Sequence, residues 1–337
     1  MIFTLIPWIP VDPFDSAFGP FRQGPGPISV DSPYYPTHYL QSVLPVPCHS
    51  HNDYWRHTPL YAALGSGCVS IEADVWLFHD QGDELYVGHS VASLSRNATL
   101  RNLYVDPLVS ILERMNSENE IAGSTPGLHG VFYQDPGQPL TLLIDFKTNG
   151  LELWPYVQAQ LAPLRDRGWL THWNGTDRVT KLVTVVATGN APFEALIVNT
   201  TYRDVFFDAP LDALDDASDH PQALPGVSEY SVFDFKYNPS NSHMASANFF
   251  RALGLSKLSY SVPPVFQGPL TPPQTAILRK QIGQAREREL LPRYWGTPRW
   301  PRGLRDRVWE VLVEEGVGLL NVDDLRAARK GPWGRLR

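Results

Sequence analysis

Two histidines stand two positions apart in the run His-Ser-His-Asn-Asp-Tyr at residues 49–54. In an extended strand, alternate side chains point to the same side, so His49 and His51 share a face. A histidine pair within a polar cluster is typical of a general base or of a metal site. The alternative is that both rings only bind carbonyl groups of a loop.

A pair of carboxylates, Glu72 and Asp74, lies in the otherwise apolar run Val69–Trp76. Alternation again places both on one side of a strand. Burying two like charges is costly unless a cation accompanies them, and carboxylate oxygens suit Mg²⁺ or Ca²⁺. The pair therefore predicts a divalent metal site. The alternative is that the two carboxylates form salt bridges with neighbouring Arg or Lys side chains.

The run Leu142–Lys147 repeats the pattern, with Asp145 and Lys147 on one face. Asp145 would complete a set of three metal-binding carboxylates, and Lys147 would stabilise negative charge on phosphoryl oxygens. Alternatively, the two side chains only pair with each other. His89 follows in the segment Glu84–His89. Cleavage of a phosphodiester needs a second histidine, because one imidazole takes a proton from the nucleophile and the other gives one to the leaving oxygen.

Weaker candidates for shaping a substrate pocket are Asn52, Asp208, Lys236 and Trp295. An aromatic residue such as Trp295 is more typical of a core or rim position than of a ligand contact. Asp323 and Asp324 precede Leu-Arg-Ala-Ala-Arg and are interpreted as the amino-terminal cap of the last helix.

The elements that must position these residues are short, β-branched runs that alternate with longer helical patterns. Eight such runs predict an α/β fold, a (β/α)8 barrel, in which the carboxyl ends of the strands converge on one mouth. An open doubly wound sheet would need a glycine fingerprint after the first strand, which is absent. The predicted strands are Val46–His51, Val69–Trp76, Leu140–Lys147, Leu182–Thr188, Asp204–Asp208, Ser231–Lys236, Leu291–Gly296 and Val317–Val322.

Residues 1–42 are rich in Pro and Gly and predict an irregular arm, so the barrel domain is expected over residues 43–332. Glu84–His89 follows a turn-like sequence and predicts a hairpin after the second strand. The first ten residues, MIFTLIPWIP, contain two prolines and are too short to cross a bilayer. We therefore expect no membrane segment in the chain as given.

The 337 residues carry a net charge of −7, with 43% hydrophobic and 19% charged residues, which excludes a disordered chain and a basic nucleic-acid surface. Cys48 and Cys68 match no zinc or redox spacing and are predicted to be buried thiols. Three N-x-Thr sequences, at Asn97, Asn174 and Asn199, would suit a secreted protein. Chance alone would give about one or two, so this signal is weak.

The chemistry-bearing motifs, taken in order, resemble the phosphatidylinositol-phospholipase-C-like (PLC-like) phosphodiesterase superfamily, which includes glycerophosphodiester phosphodiesterases and sphingomyelinase D. Longer strings resemble one branch, the altered inheritance of mitochondria protein 6 family, over residues 45–330. These strings are CHSHNDYWRHTPLYAALGSGCVSIEADVWLF, ELYVGHS, LRNLYVDPL, LLIDFKTNG, RYWGTP and LLNVDDL.

This resemblance implies that the metal ligands are Glu72, Asp74 and Asp145. It also implies that His89 is the second catalytic histidine. The first catalytic histidine matches His51 by its distance from Glu72 along the chain. His49, together with Asn52, instead reproduces the His-x-x-Asn of sphingomyelinase D. We favour His51 and keep His49 as the alternative.

The expected function is a metal-dependent phosphoric diester hydrolase acting on a lipid head group or a glycerophosphodiester, with Mg²⁺ or Ca²⁺ as cofactor. Family members often carry an amino-terminal anchor or signal, which is not visible in this sequence. The resemblance is compatible with a secretory-pathway or mitochondrial association, and the location stays open. Gly296 replaces an acidic residue of the family pattern, which bears on substrate positioning. The alternatives are a catalytically silent barrel that binds partners and an amidohydrolase, which would need histidines ending the fifth and sixth strands.

Overall fold

The structure is a computed structural model that describes residues 40–117, 127–216, 231–255 and 270–331. Its strands are β1 (Val46–Ser50), β2 (Cys68–Leu77), β3 (Leu85–Val87), β4 (Leu140–Phe146), β5 (His172–Trp173), β6 (Arg178–Val179), β7 (Val183–Gly189), β8 (Val205–Pro210), β9 (Ser242–Asn248), β10 (Leu291–Trp295) and β11 (Leu319–Val322). The eight strands β1, β2, β4, β7, β8, β9, β10 and β11 run parallel in that order, and β1 pairs with both β2 and β11. The sheet is therefore closed, which confirms the predicted (β/α)8 barrel.

Helices follow most of the barrel strands. They are α1 (Pro59–Gly65), α2 (Asp106–Met115), α3 (Gly150–Gln160), α4 (Ala162–Arg165), α5 (Phe193–Ile197), α6 (Phe249–Ala252), α7 (Pro272–Glu287), α8 (Arg302–Glu314) and α9 (Leu325–Arg329). Helix α7 shows why such segments fold: Thr271 and Gln274 form a capping box at its start, and Leu278, Ile282 and Ala285 are buried on one face.

The predicted hairpin after the second strand is present, because β3 pairs antiparallel with the end of β2. The predicted arm falls almost wholly on residues 1–39, outside the described residues, so its boundary with the barrel stays a prediction. Among the residues that the structure describes, no helix has the length and apolar character needed to span a bilayer.

The predicted sixth strand, Ser231–Lys236, is wrong. The sixth barrel strand is β9, and Val232–Asp234 forms a 3-10 turn instead. The Asp234 carboxylate accepts a hydrogen bond from the Ser231 backbone N–H, so a capping box forms a turn in this short run, which contains three apolar residues. Strand β9 lacks β-branched residues and is held by burial rather than by propensity.

The prediction of two buried thiols is also wrong, because Cys48 and Cys68 form a disulfide. Both residues are fully buried, and they lie on the neighbouring strands β1 and β2 with their Cα atoms 4.7 Å apart. No motif spacing indicates this pairing, because the two cysteines meet through the adjacency of β1 and β2. The bond joins the strand that carries the histidine pair to the strand that carries two of the carboxylates.

Removing this disulfide with the double substitution Cys48→Ala and Cys68→Ala is expected to lower the free energy of unfolding by about 3 kcal/mol, because the bond closes a loop of about 20 residues in the unfolded chain. Denaturant unfolding curves of the wild type and the variant measure the difference. Reductant should lower the wild-type midpoint and leave that of the variant unchanged. Equal midpoints for the oxidised wild type and the variant would contradict the expectation.

Candidate active site

Three carboxylates meet at the mouth, the rim formed by the carboxyl ends of the barrel strands. Asp74 of β2 lies directly beside Asp145 of β4 in the parallel register, and Glu72 precedes Asp74 by two residues on the same face. One ligand oxygen from each of the three lies within 4.8 Å of the others. Glu72 and Asp74 are buried. We call Glu72, Asp74 and Asp145 the carboxylate cluster.

Lys147 is the cation that the structure places against the carboxylate cluster. Its Nζ lies 2.9 Å from Oδ2 of Asp74 and 2.5 Å from Oδ2 of Asp145. Burial lowers the pKa of Lys147, but the two carboxylates outweigh burial and raise it, so the side chain stays charged. The predicted pairing of Asp145 with Lys147 and the predicted clustering of carboxylates are therefore both present.

Within the cluster, Asp74 is short of compensating positive charge even with Lys147 in place, whereas His51 and His49 hold the pKa of Glu72 well below its ordinary value against the effect of burial. Burial and the charges of Glu72 and Asp145 raise the pKa of Asp74 to about 7, against the opposing effect of Lys147. Oδ1 of Asp74 is buried and has no hydrogen-bond partner among the described residues. A buried carboxylate oxygen without a partner, beside two more carboxylates, fits a hard divalent cation such as Mg²⁺ or Ca²⁺.

His51 is held between the carboxylate cluster and the end of β11. Its Nδ1 lies 2.8 Å from Oδ1 of Asp323, and its Nε2 lies 3.9 Å from Oε2 of Glu72. Burial lowers the pKa of His51, but the Glu72 and Asp323 carboxylates outweigh it and raise the pKa above its ordinary value. Because a carboxylate only accepts hydrogen bonds, Asp323 fixes the ring with a proton on Nδ1.

Asp323 and Asp324 were both interpreted from the sequence as a helix cap. The structure confirms this for Asp324 and not for Asp323. Asp324 caps α9 by accepting a hydrogen bond from the Ala327 backbone N–H at 3.0 Å. Asp323 turns to His51 instead and also pairs with Arg299 at 2.8 Å. The signal that sequence reasoning missed is its position directly after a barrel strand, where polar residues face the mouth.

His49 lies in a different environment from His51. It is fully buried, its Nδ1 lies 2.7 Å from the Ser70 hydroxyl, and its Nε2 lies 3.6 Å from Oε2 of Glu72. Burial and the nearby Arg293 lower the pKa of His49 to about 4. His49 is therefore neutral at physiological pH and lies beside Glu72 in the buried interior of the barrel. The side chain of His51 is more accessible and lies at the mouth.

Asn52 and Tyr54 hold the carboxylates in place. Asn52 has a left-handed backbone (φ 47°), a conformation that asparagine tolerates well, and its N–H donates to Oε2 of Glu72 at 2.9 Å. The Tyr54 hydroxyl donates to Oδ2 of Asp74 at 2.7 Å. Asn52, predicted as a substrate contact, thus binds a cluster residue, and Tyr54 was not singled out from the sequence.

His89 reaches the cluster from the hairpin that follows β2. Its Nδ1 lies 3.8 Å from Oδ2 of Asp74, and 56% of its side chain is exposed. Its ring packs edge-on against Trp55, with the ring centroids 5.2 Å apart. Two imidazoles therefore flank the carboxylate cluster, with His51 beside Glu72 and His89 beside Asp74.

Of the three other residues predicted to shape a substrate pocket, two lie in barrel strands and one does not. Asp208 is buried in β8, where the Thr188 hydroxyl donates to it at 3.1 Å, and Trp295 ends β10 with 39% of its surface exposed. Lys236 does not end a strand: it is exposed in the segment before β9, with its Nζ 5.1 Å from the ring centre of Tyr237. It therefore lacks the strand-end position on which its prediction as a substrate contact rested.

Known proteins match this chain over most of its length. A family model described as an AIM6-like phosphodiesterase domain matches residues 37–208. The "Altered inheritance of mitochondria protein 6 homolog" of Arthroderma benhamiae is 39% identical, over 88% of this chain and 86% of its own length. The "Altered inheritance of mitochondria protein 6" of Saccharomyces cerevisiae is 31% identical, over 85% of this chain and 70% of its own.

Among solved structures, a phosphatidylinositol-specific phospholipase C from Listeria monocytogenes aligns with a TM-score of 0.39 and 12% identity, covering 87% of this chain and 93% of that one. The closed pairing of the eight parallel strands, and not this alignment, identifies the fold as a barrel. The extent and identity of the sequence matches establish that the chain belongs to the altered inheritance of mitochondria protein 6 family, with its phosphodiesterase-like domain.

Proposed function

We propose that this protein is a metal-dependent phosphodiesterase that uses His51 as general base and His89 as general acid. The observation that carries the proposal is the placement of the two imidazoles beside opposite members of one buried carboxylate cluster, with a charged lysine against it. An acid, a base and a site for phosphoryl charge are the groups that phosphodiester cleavage requires.

Glu72, Asp74 and Asp145 would hold the cation, Mg²⁺ or Ca²⁺. When bound, the ion supplies charge stabilisation for the non-ester oxygens of the phosphodiester. Lys147 adds a fixed positive charge on the same side, and the carboxylates at 2.9 and 2.5 Å keep its ammonium in place. Asn52 and Tyr54 orient two of the three carboxylates through the hydrogen bonds described above.

Proton transfer at His51 follows from its tautomer. With Nδ1–H donated to Asp323, the lone pair of the neutral ring is on Nε2, which faces the carboxylate cluster. Nε2 accepts the proton of the attacking hydroxyl as the oxygen–phosphorus bond forms. The neighbouring Asp323 carboxylate stabilises the imidazolium that results.

His89 completes the reaction on the leaving side. In its protonated form it donates a proton to the alcohol oxygen as the phosphorus–oxygen bond breaks. Its exposure lets the ring exchange protons with solvent between turnovers. In each turnover His51 gains one proton and His89 loses one, so the total number of protons on the two rings is unchanged.

The proposed substrate class is a glycerophosphodiester or a phospholipid head group, in keeping with the phosphodiesterase-like family domain. The test is to incubate the protein with glycerophosphodiesters, phosphatidylinositol and sphingomyelin in Mg²⁺, Ca²⁺ or EDTA and to follow products by ³¹P NMR. A cyclic phosphate would identify a substrate hydroxyl as nucleophile, and a phosphomonoester would identify water. Metal-dependent turnover of one class supports the proposal, whereas no turnover of any class would favour a silent binding barrel.

The amidohydrolase alternative gains no support from the corrected sixth strand. Strand β9 contains His243, but this residue stands second in the strand, at the end of the barrel opposite the mouth. Neither β8 nor β9 ends in a histidine. The histidines that a metal-dependent amidohydrolase would need at the mouth are therefore missing from these two strands.

Asp323→Asn is expected to lower turnover by roughly 10–100-fold, less than loss of the imidazole itself, because the amide still accepts from Nδ1–H but carries no charge. Since the Asp323 carboxylate raises the pKa of His51, the rising limb of the pH–rate profile should also move to lower pH. Asp324→Asn, at the cap of α9, is the matched control and should leave the limb in place. An unshifted limb in Asp323→Asn would show that Asp323 does not act through His51.

A further inference from the structure

Two of the three N-x-Thr sequences lie in adjoining loops. Asn174 is in the turn between β5 and β6, and Asn199 is in the segment that leads into β8. The loops touch, because the Trp173 indole Nε1 donates to the carbonyl oxygen of Thr200 at 3.2 Å. The backbones of Trp173 and Arg203 also exchange two hydrogen bonds. Both asparagines are exposed, so the loops present them together on one surface.

Each of these asparagines has its side-chain oxygen engaged and its amide nitrogen available. Oδ1 of Asn174 accepts from the backbone N–H groups of Thr176 and Asp177 at 2.9 and 2.8 Å. Oδ1 of Asn199 accepts from the backbone N–H and the hydroxyl of Thr201, each at 3.0 Å. Within the described ranges, neither Nδ2 has a hydrogen-bond partner. Nδ2 is the atom that carries an N-linked glycan.

Both loops lie at the end of the barrel opposite the mouth. The segment that holds Asn199 precedes β8, and the turn that holds Asn174 is tied to Arg203, also before β8. Because the barrel strands run parallel, the amino end of β8 is remote from the carboxylate cluster at their carboxyl ends. A bulky group on either asparagine would leave the mouth open. Asn97 differs, because it follows His89 in the segment beside the mouth.

The disulfide gives an independent indication of the compartment. Cys48 and Cys68 are the chain's two cysteines, and both are used in one bond. Structural disulfides form and persist in oxidising environments and are rare in the cytosol. The secretory pathway is an oxidising compartment, and it is also the compartment in which Asn-x-Thr sequences are glycosylated.

We propose that Asn174 and Asn199 are N-glycosylation sites and that the chain acquires both glycans in an oxidising secretory compartment. In each transfer, Nδ2 of the asparagine bonds to the anomeric carbon of an oligosaccharide carried on a polyisoprenyl pyrophosphate. The bond between that carbon and the pyrophosphate oxygen breaks, Nδ2 loses one proton, and the lipid pyrophosphate leaves. A host oligosaccharyltransferase catalyses the step. The proposal does not depend on the phosphodiesterase function.

The test uses the full chain isolated from the cells that make it. Peptide N-glycosidase in H₂¹⁸O releases N-glycans and converts each carrying asparagine to ¹⁸O-labelled aspartate, which peptide mass spectrometry locates. We expect the label at residues 174 and 199 and a gain in gel mobility on glycosidase treatment. Alkylation before any reduction should leave Cys48 and Cys68 unmodified. Unlabelled asparagine at both positions, or alkylated cysteines in the untreated chain, would overturn the proposal.

A matched pair of variants separates glycan loss from misfolding. Thr201→Ala removes the sequence required at Asn199, whereas Thr200→Ala changes its middle residue and keeps it. We expect one glycan fewer in Thr201→Ala and an unchanged glycan number in Thr200→Ala, with both proteins recovered in folded form. Thr176→Ala should remove the glycan at Asn174 in the same way. A mobility unaffected by Thr201→Ala and by Thr176→Ala would also contradict the proposal.

Discussion

Glu72→Gln is expected to lower metal-dependent phosphodiester turnover by roughly 10²–10⁴-fold, since a bound metal contributes several kcal/mol to the transition state. The substitution removes one of three clustered carboxylates while keeping the size of the side chain and an oxygen that accepts from the Asn52 backbone N–H. Initial rates in excess Mg²⁺ or Ca²⁺ measure the effect. Turnover equal to that of the wild type would contradict a role for Glu72 in the metal site.

The same variant is expected to fold in EDTA but to be less stable than the wild type. Glu72 contributes to raising the pKa of Asp74 to about 7, but its own pKa, which burial raises, is held well below its ordinary value by His51 and His49. Removing the charge therefore costs more attraction than it relieves repulsion, and a loss of turnover in a folded protein is the expected combination. Glu152→Gln is the matched control, because Glu152 is exposed and pairs at 3.0 Å with His79, also exposed. It should retain full turnover.

His51→Ala is expected to lower turnover by roughly 10²–10⁴-fold, the usual contribution of a general base. The pH–rate profile distinguishes His51 from His49. A base acts in its neutral form, so turnover rises with pH up to the pKa of that base and then levels. The pKa of His51 is raised above 6.5, whereas that of His49 is lowered to about 4. Catalysis by His51 therefore predicts a rising limb well above pH 4, the position that catalysis by His49 would give.

His49→Gln is the comparison variant. If His51 is the base, the rising limb persists in this variant, and the main cost is to stability, since His49 is fully buried and lies 2.7 Å from the Ser70 hydroxyl. A wild-type profile whose rising limb lies near pH 4 would favour His49 instead. Circular dichroism of both variants establishes that folded proteins are being compared.

Much of the fold was accessible from sequence because barrel strands are buried on both faces and stand out as apolar runs. Strand β7 illustrates this: its residues 183–187 are all buried, and the predicted span differs from it by one residue at each end. Strand β9 was missed because Ser-His-Met-Ala-Ser-Ala-Asn has neither alternation nor β-branched residues, and its partners on either side decide its structure.

Some features of the candidate site were likewise predictable from the sequence, and others were not. The carboxylate cluster was predictable because charge in an apolar strand is unusual and period two assigns it to one face. The contact between His51 and Asp323 spans 272 residues and arises from the pairing of β1 with β11, which local sequence cannot indicate. The Cys48–Cys68 bond was missed because it depends on the pairing of β1 with β2, which no motif spacing marks. Barrel closure creates the His51–Asp323 contact.

The most direct test of the proposed site is metal add-back to the EDTA-treated wild-type protein, with thermal melting and phosphodiester turnover followed on the same sample. A ligand that binds only the folded state raises stability by about 2.7 kcal/mol at a hundredfold excess over its dissociation constant. We expect Mg²⁺ or Ca²⁺ to raise the melting midpoint and restore turnover over the same concentration range. Undiminished turnover in EDTA, or a melting midpoint that neither ion moves, would contradict the metal-dependent site.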